Sequence, residues 1–375
     1  MLAGALVAVA VVAAILVITS GGRRPIRTKI EPVGAPTAGW YGGAGPSASD
    51  EPAPPGWRQG APGPLRSRGG HVMSWTGGEL LVWGGDPDGD GAAYEPAGDR
   101  WRRIPAAPFP ARVDALSTWT GFEALVWGGY QGAEPAGTGA AYDPIGDRWR
   151  MLPAAPLGAG VPVSGVWTGK EWILLEGLTA AAYSPRADRW QPIAPIPYPL
   201  TRAVGLWTGL EAIVIGADTS DSGPGVLKAA AYDPATDRWR ALPTPPLAPF
   251  GTTAVWTGRE VVAWDFELHA ARLEPYARAW RRLPDLPLHF SDCLPRGVFA
   301  GDVVFAEHCG QAALYRPSTG TWTPLAHPRG LSAQPVWTGR DVLFWIGRFA
   351  GSADGTWLLR PPGARPRGPV PPQRG

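Results

Sequence analysis

Trp207-Thr208-Gly209-Leu210-Glu211-Ala212-Ile213-Val214-Ile215-Gly216, followed by Ala229-Ala230-Ala231-Tyr232-Asp233-Pro234-Ala235-Thr236-Asp237-Arg238-Trp239-Arg240-Ala241-Leu242-Pro243, is one complete unit of a repeat that fills most of this chain. A first strand ends at Trp-Thr-Gly, where glycine permits a tight turn. The apolar run 211–216 reads as the second strand and the alanine-rich run ending at Tyr232 as the third. The Asp-Pro-Ala-Thr-Asp turn leads into a fourth strand around Trp239, with proline kept to strand ends.

Trp-Thr-Gly recurs at Trp75, Trp119, Trp167, Trp207, Trp256 and Trp337, with a worn copy at Phe299-Ala300-Gly301. The intervals of 44, 48, 40, 49, 43 and 38 residues suit one four-stranded propeller blade per repeat. A second register confirms the period. Tyr94, Tyr142, Tyr183, Tyr232, Leu273, Tyr315 and Leu359 each precede a proline by two places. Trp101, Trp149, Trp190, Trp239, Trp280 and Trp322 follow the first six by seven residues, whereas position 366 is Pro366. The missing tryptophan stands at the other end. Trp57 precedes Trp75 by 18 residues, the gap that separates Trp101 from Trp119. The expectation is an all-β, seven-bladed β-propeller whose last blade takes its outer strand from the N-terminal segment, leaving no free sheet edge.

On these residues the chain resembles the kelch-repeat family, whose blades pair a double glycine after strand two with a spaced tyrosine and tryptophan. The resemblance spans about residues 55–361. Trp83-Gly84-Gly85 and Trp127-Gly128-Gly129 match, while Glu176-Gly177, Ile215-Gly216, Trp264-Asp265 and Glu307-His308 depart from the glycine pattern. The resemblance implies a kelch-type scaffold and leaves the function of any one kelch protein untransferred.

Four segments follow: 1–19, an N-terminal transmembrane signal-anchor helix; 20–54, a Pro/Gly-rich tether; 55–361, the propeller; and 362–375, a disordered Pro/Arg-rich tail. Leu2–Thr19 is an uncharged apolar run, long enough to approach a membrane span. A cleaved signal peptide or a misassigned start codon are the other readings, although no A-x-A site follows. Orientation is contested. Arg23, Arg24, Arg27 and Lys29 follow the run, which by the positive-inside rule would keep the propeller in the cytoplasm. Cys293 and Cys309, the only two cysteines, lie symmetrically about the turn of blade six. On neighbouring antiparallel strands they would be within disulfide reach, implying an oxidising compartment; two buried thiols are the alternative. The balance favours a single-pass cell-membrane protein with the propeller outside.

Chemistry is sparsely signalled. The net charge of +2 argues against a nucleic-acid surface. Three lysines among 34 basic residues look like a genomic bias toward arginine. The five histidines form no H-x-H or H-x-x-H pair, so neither the copper site of the galactose oxidase propeller nor any other metal or cofactor is expected. No G-x-S-x-G elbow appears. Asp86-Pro87-Asp88-Gly89-Asp90-Gly91 fits the opening of a calcium loop, but Ala97 stands where the distal glutamate belongs. Ser352–Trp357 is one residue short of a sialidase Asp-box and reads as a turn. Most of the 20 tryptophans occupy repeat positions, where packing between blades needs large flat side chains.

Loop length carries more information. The connection between strands two and three is long in blades one, two, four and seven, and variable loops on a rigid scaffold are where binding usually sits. Arg68, Arg112, Asp114, Arg202 and Arg329 fall near that face. In kelch adaptors, arginines around the channel mouth grip acidic ligands, so the resemblance implies an acidic partner here. The expected function is a non-catalytic propeller that binds a protein or glycan. A propeller enzyme, such as a galactose-oxidase-like oxidase or a sugar epimerase, is the competing class.

Overall fold

The computed structural model describes residues 53–362, except 67, 86–88, 159, 219, 221–224, 292 and 347–354. The anchor at 1–19, most of the 20–54 tether, the tail beyond 362 and the Asp86-Pro87-Asp88 part of the calcium-like loop lie outside these residues. Among the described residues, no helix is long and apolar enough to cross a membrane.

Seven four-stranded antiparallel sheets stand in a ring. Blade four runs Leu200–Trp207, Ala212–Asp218, Val226–Asp233 and Arg238–Ala241 from the inside outward. Inner strands end at Trp75, Trp119, Trp167, Trp207, Trp256 and Trp337, and at Ala300 in blade six. Blade seven takes its first three strands from Val336–Trp337, Val342–Ile346 and Gly355–Leu359, and its fourth from Trp57–Gln59. Trp57 pairs with Leu359 and Gln59 with Trp357, so the N-terminal segment closes the ring.

The seven-residue spacing from tyrosine to tryptophan is a hairpin register. Tyr94 lies directly across from Trp101, Tyr142 from Trp149, Tyr183 from Trp190 and Tyr232 from Trp239. The rings of Tyr142 and Trp149 sit 5.1 Å apart. Each indole then reaches backward, its Nε1 donating to a carbonyl of the preceding blade: Trp149 to Pro105 O, Trp190 to Pro153 O, Trp239 to Ala194 O and Trp57 to Ala326 O. That last bond gives Trp57 the same role as the repeat tryptophans.

The core is distributed. Seven apolar clusters each fill one blade-to-blade interface, such as Ile173, Leu175, Ala212 and Val214 between blades three and four. Around them runs a polar girdle that the repeat also encodes. Tyr94, Tyr142, Tyr183 and Tyr232 donate to Asp99, Asp147, Asp188 and Asp237 five residues on, at 2.5–2.8 Å. These aspartates hold φ of 46–52°, a left-handed geometry that aspartate tolerates. Arg102 grips Glu79 of its own blade and reaches Tyr142 and Asp147 of the next; Arg150 repeats this with Glu123, Tyr183 and Asp188. Blade five has Leu273 and Arg278 at the Tyr and Asp positions, and there Arg240 donates to Pro275 O instead.

Blade six keeps Tyr315 but has Gly320 where the aspartate belongs, and the buried Tyr315 hydroxyl has no partner. Gly320 has φ 68° and open space at its Cβ position. Gly320→Asp is therefore expected to raise stability by about 1 kcal/mol, the charge-assisted hydrogen bond to Tyr315 outweighing the strain of a side chain at positive φ. Thermal melting should move up by about 2 °C for a protein of this size; an unchanged or lower midpoint would refute the assignment.

Antiparallel alternation gives the ring two unlike faces. The Trp-Thr-Gly turns and the turns between strands three and four share one, here called the turn face. The connections between strands two and three and the links between blades share the other, the loop face.

Candidate functional site: the loop face

The arginines that the sequence nominates separate into two groups. Arg68 and Arg112 are buried. Each precedes its inner strand and inserts into the two-to-three connection of its own blade. Arg68 Nη1 donates to Gly84 O and Asp90 O at 3.4 and 3.2 Å, and ion-pairs with Asp90. Arg112 Nη1 donates to Gly128 O and Thr138 O at 3.3 and 2.5 Å, its Nη2 bonds Thr138 Oγ1 at 2.6 Å, and its guanidinium covers the Phe109 ring at 3.9 Å. The expectation that this pair faces a ligand is thus corrected, because both side chains are buried and both Nη1 atoms donate to carbonyls of their own blade.

The double glycines belong to the same device. Gly85 and Gly129 adopt φ of 93° and 79°, and a Cβ there would lie 2.7 Å from Gly69 O and 2.5 Å from Val113 O. Only glycine lets the link come that close. The Trp-Gly-Gly of blades one and two therefore goes with the buried arginine of the same two blades. Asp90 belongs to this lock as well. Burial alone would push its carboxyl up, but Arg68 and Arg103 more than offset this and hold it below the usual range.

Asp114, Arg202 and Arg329 are exposed on the loop face, in the link into blade two, in blade four and in the link into blade seven. They are spread around the rim, not gathered at one point. Asp114 has φ 55°, and its N–H donates to Gly70 O at 2.8 Å. Arg202 is the informative one. The register of its strand shifts between Thr201 and Val204, and Arg202 has φ 48°. A bulge of this kind re-aims a side chain, and here the guanidinium is carried over the Phe250 ring at 5.7 Å.

Phe250 begins an apolar arc that the sequence reading missed. Its neighbour Gly251 packs against Phe266 and Leu294, and the Phe266 and Phe290 rings lie 6.0 Å apart. Phe250, Phe290 and Leu294 are exposed. The arc crosses blades four to six along the loop face. The available signal is positional: Phe250 and Phe290 fall in links between blades, where a strand core gains nothing from them. Phe109 occupies a similar link yet is covered by Arg112 and Trp83, so link position alone does not predict exposure.

The arc is braced. Cys293 and Cys309 form a disulfide with Cα atoms 5.6 Å apart. They do not sit within paired strands, as the symmetric placement suggests. Cys293 precedes the inner strand Arg296–Ala300, and Cys309 follows the second strand Val303–His308. The bond therefore ties the link bearing Phe290 and Leu294 to the neighbouring turn. Beside it, Arg296 Nη1 lies 3.4 Å from Glu307 Oε2 and 3.0 Å from Ser332 Oγ. Glu307 is fully buried; burial pushes its carboxyl up, and Arg296 and the Gly310 N–H pull it back. Burial also holds His71 and His327 down at about 4 and keeps them neutral. Among the described residues, no three His, Cys, Asp or Glu side chains gather as a metal-binding group.

No protein-family model matches the chain, and no curated protein matches it. Its fold is similar to that of a solved structure described as the structure of YjhT, with a TM-score of 0.53 over 71% of this chain and 99% of that one, at 13% sequence identity. The likeness is one of fold alone. Altogether 1211 solved chains match, and so widespread an architecture carries many unrelated functions.

Proposed function

We propose that the chain is a membrane-tethered, non-catalytic propeller of kelch type that binds a protein partner through its loop face. The observation that carries this reading is the arc of exposed Phe250, Phe290 and Leu294 around the half-buried Phe266, with Arg202 at its end. Aromatic anchors beside an arginine are the usual composition of an energetically dominant interface patch, and an exposed contiguous apolar surface marks an interaction site. The arginine supplies the acid-binding element that the sequence suggested, from one bulged position in place of a ring of guanidinium groups. A protein with apolar side chains flanked by a carboxylate fits this arc better than a glycan, which stacks on flatter, more polar platforms. The apolar run Leu2–Thr19 supports the tether, and the disulfide supports a location outside the cytoplasm.

The test is capture of partner from the native host's extracts with residues 1–50 replaced by a soluble tag. Arg202→Ala and the pair Phe250→Ser with Phe290→Ser should each weaken capture about tenfold or more. Glu134→Ser, exposed in the strand two-to-three connection of blade two and outside the arc, should retain it. Equal capture by all variants would sink the proposed site.

A further inference from the structure

The opposite face has a composition that nothing in partner binding explains. The residue after each Trp-Thr-Gly stands at the tip of its turn, and in blades one to five and seven these residues are Gly78, Phe122, Lys170, Leu210, Arg259 and Arg340. All six are exposed. Leu210 is 72% exposed and Phe122 52%; on the neighbouring turns of the same face Ile145 is 93% and Tyr276 74% exposed. Four large apolar side chains this open on one face offer it apolar area that a boundary layer could bury.

The acidic side chains beside the Trp-Thr-Gly tips are drawn inward. The next position in five of these turns is Glu79, Glu123, Glu211, Glu260 or Asp341, each paired with an arginine of its own blade. Asp99, Asp147, Asp188 and Asp237, in the turns between strands three and four, accept the tyrosine hydroxyls while staying exposed. At the Trp-Thr-Gly tips, then, what protrudes apart from Gly78 is apolar or cationic.

The chain path adds the second observation. The closing strand starts at Trp57 opposite Leu359, the end of the third strand of blade seven, so both lie on the turn face. Arg360 N donates to Gly56 O at 2.9 Å, and Arg316 Nη2 donates to Pro362 O at 2.6 Å. Both described ends of the chain therefore leave from the turn face, and the N-terminal one leads toward the apolar run Leu2–Thr19.

We propose that the turn face lies against the membrane that holds the tether, with Phe122 and Leu210 entering the interfacial layer and Lys170, Arg259 and Arg340 meeting anionic headgroups. This rests on the tether reading and adds an orientation to it: the loop face, with its aromatic arc, points away from the bilayer. Anionic headgroups attract cations held within a Debye length of the surface, and apolar tips bind by area buried in the boundary layer. A tether on the same face keeps the turns close to the bilayer, so contacts too weak to act alone become occupied.

The test uses the full chain in vesicles of phosphatidylcholine with or without phosphatidylglycerol, doped with a headgroup-level quencher. A polarity-sensitive dye is placed at Leu210→Cys on the turn face or at Val226→Cys on the loop face. Quenching at 210 is expected to exceed that at 226 by about threefold or more on anionic vesicles, and to fall with added salt. Adding Lys170→Glu with Arg259→Glu should bring the two sites to the same level. A chain that co-floats with vesicles but quenches equally at both sites overturns the orientation and leaves the tether standing. A chain that does not co-float overturns the tether and the orientation with it. A dye shift at 210 that appears without vesicles assigns the face to a second copy of the chain and also overturns the proposal.

Discussion

Trp57→Ala should cost about 3–5 kcal/mol of stability, the range for removing a buried aromatic from a packed core. Few single side chains in this protein join so much. Trp57 is 6% exposed, its Nε1 donates to Ala326 O at 2.8 Å, and its ring meets His327 at 4.9 Å and Phe344 at 5.3 Å. It joins blade six to blade seven while lying 269 residues from its hydrogen-bond partner. Removing the strand altogether should be worse. Deleting residues 1–62 leaves Gly355–Leu359 as an open edge with unpaired backbone groups, and it removes the bond from Gly60 N to Thr356 O at 2.8 Å. The comparison is between thermal or urea unfolding of a chain lacking 1–62 and one lacking 1–50. Equal midpoints would mean that the ring closes without this strand. A loss of cooperativity with aggregation is the expected result.

The same tryptophan shows what was legible in the sequence. Its distance to Trp75 repeats the spacing of the other blades, so the closing strand could be assigned before any coordinates. The tyrosine-to-tryptophan interval was equally readable, because a two-strand hairpin of fixed register forces it. Such features are local or periodic, and periodicity is what a linear sequence records best. The girdle was less visible. Arg102 and Arg150 carry no mark that tells them from the many other arginines, since their partners Tyr142, Asp147, Tyr183 and Asp188 belong to the next blade. The cysteines were matched by symmetry, yet their place beyond the strand ends depends on where the ladder stops. The aromatic arc was illegible for a further reason. Phe250, Phe266, Phe290 and Leu294 come from two links and one turn, and only the ring brings those connections side by side.

The arginines are the sharpest case, because sequence position correctly put Arg112 on the loop face and said nothing of its direction. Arg112 is 4% exposed and bonds Gly128 O, Thr138 O and Thr138 Oγ1. Burial pushes its guanidinium pKa down, yet the group stays charged, since arginine does not lose its proton in proteins. Arg112→Ala would leave these acceptors without their donor, each costing about 1–3 kcal/mol, and would uncover Phe109. A total of about 3–5 kcal/mol is expected from the abandoned acceptors and the lost packing together. Arg112→Lys should restore only part of it, because an ammonium cannot fork to two acceptors held by a planar guanidinium. Arg202→Ala should change stability by less than about 0.5 kcal/mol, being exposed and away from the core, while weakening partner capture. Urea unfolding and capture, measured on the same three variants, separate the roles. An Arg112→Ala protein that is as stable as the parent but fails to capture partner would return Arg112 to the binding surface and remove the loop lock.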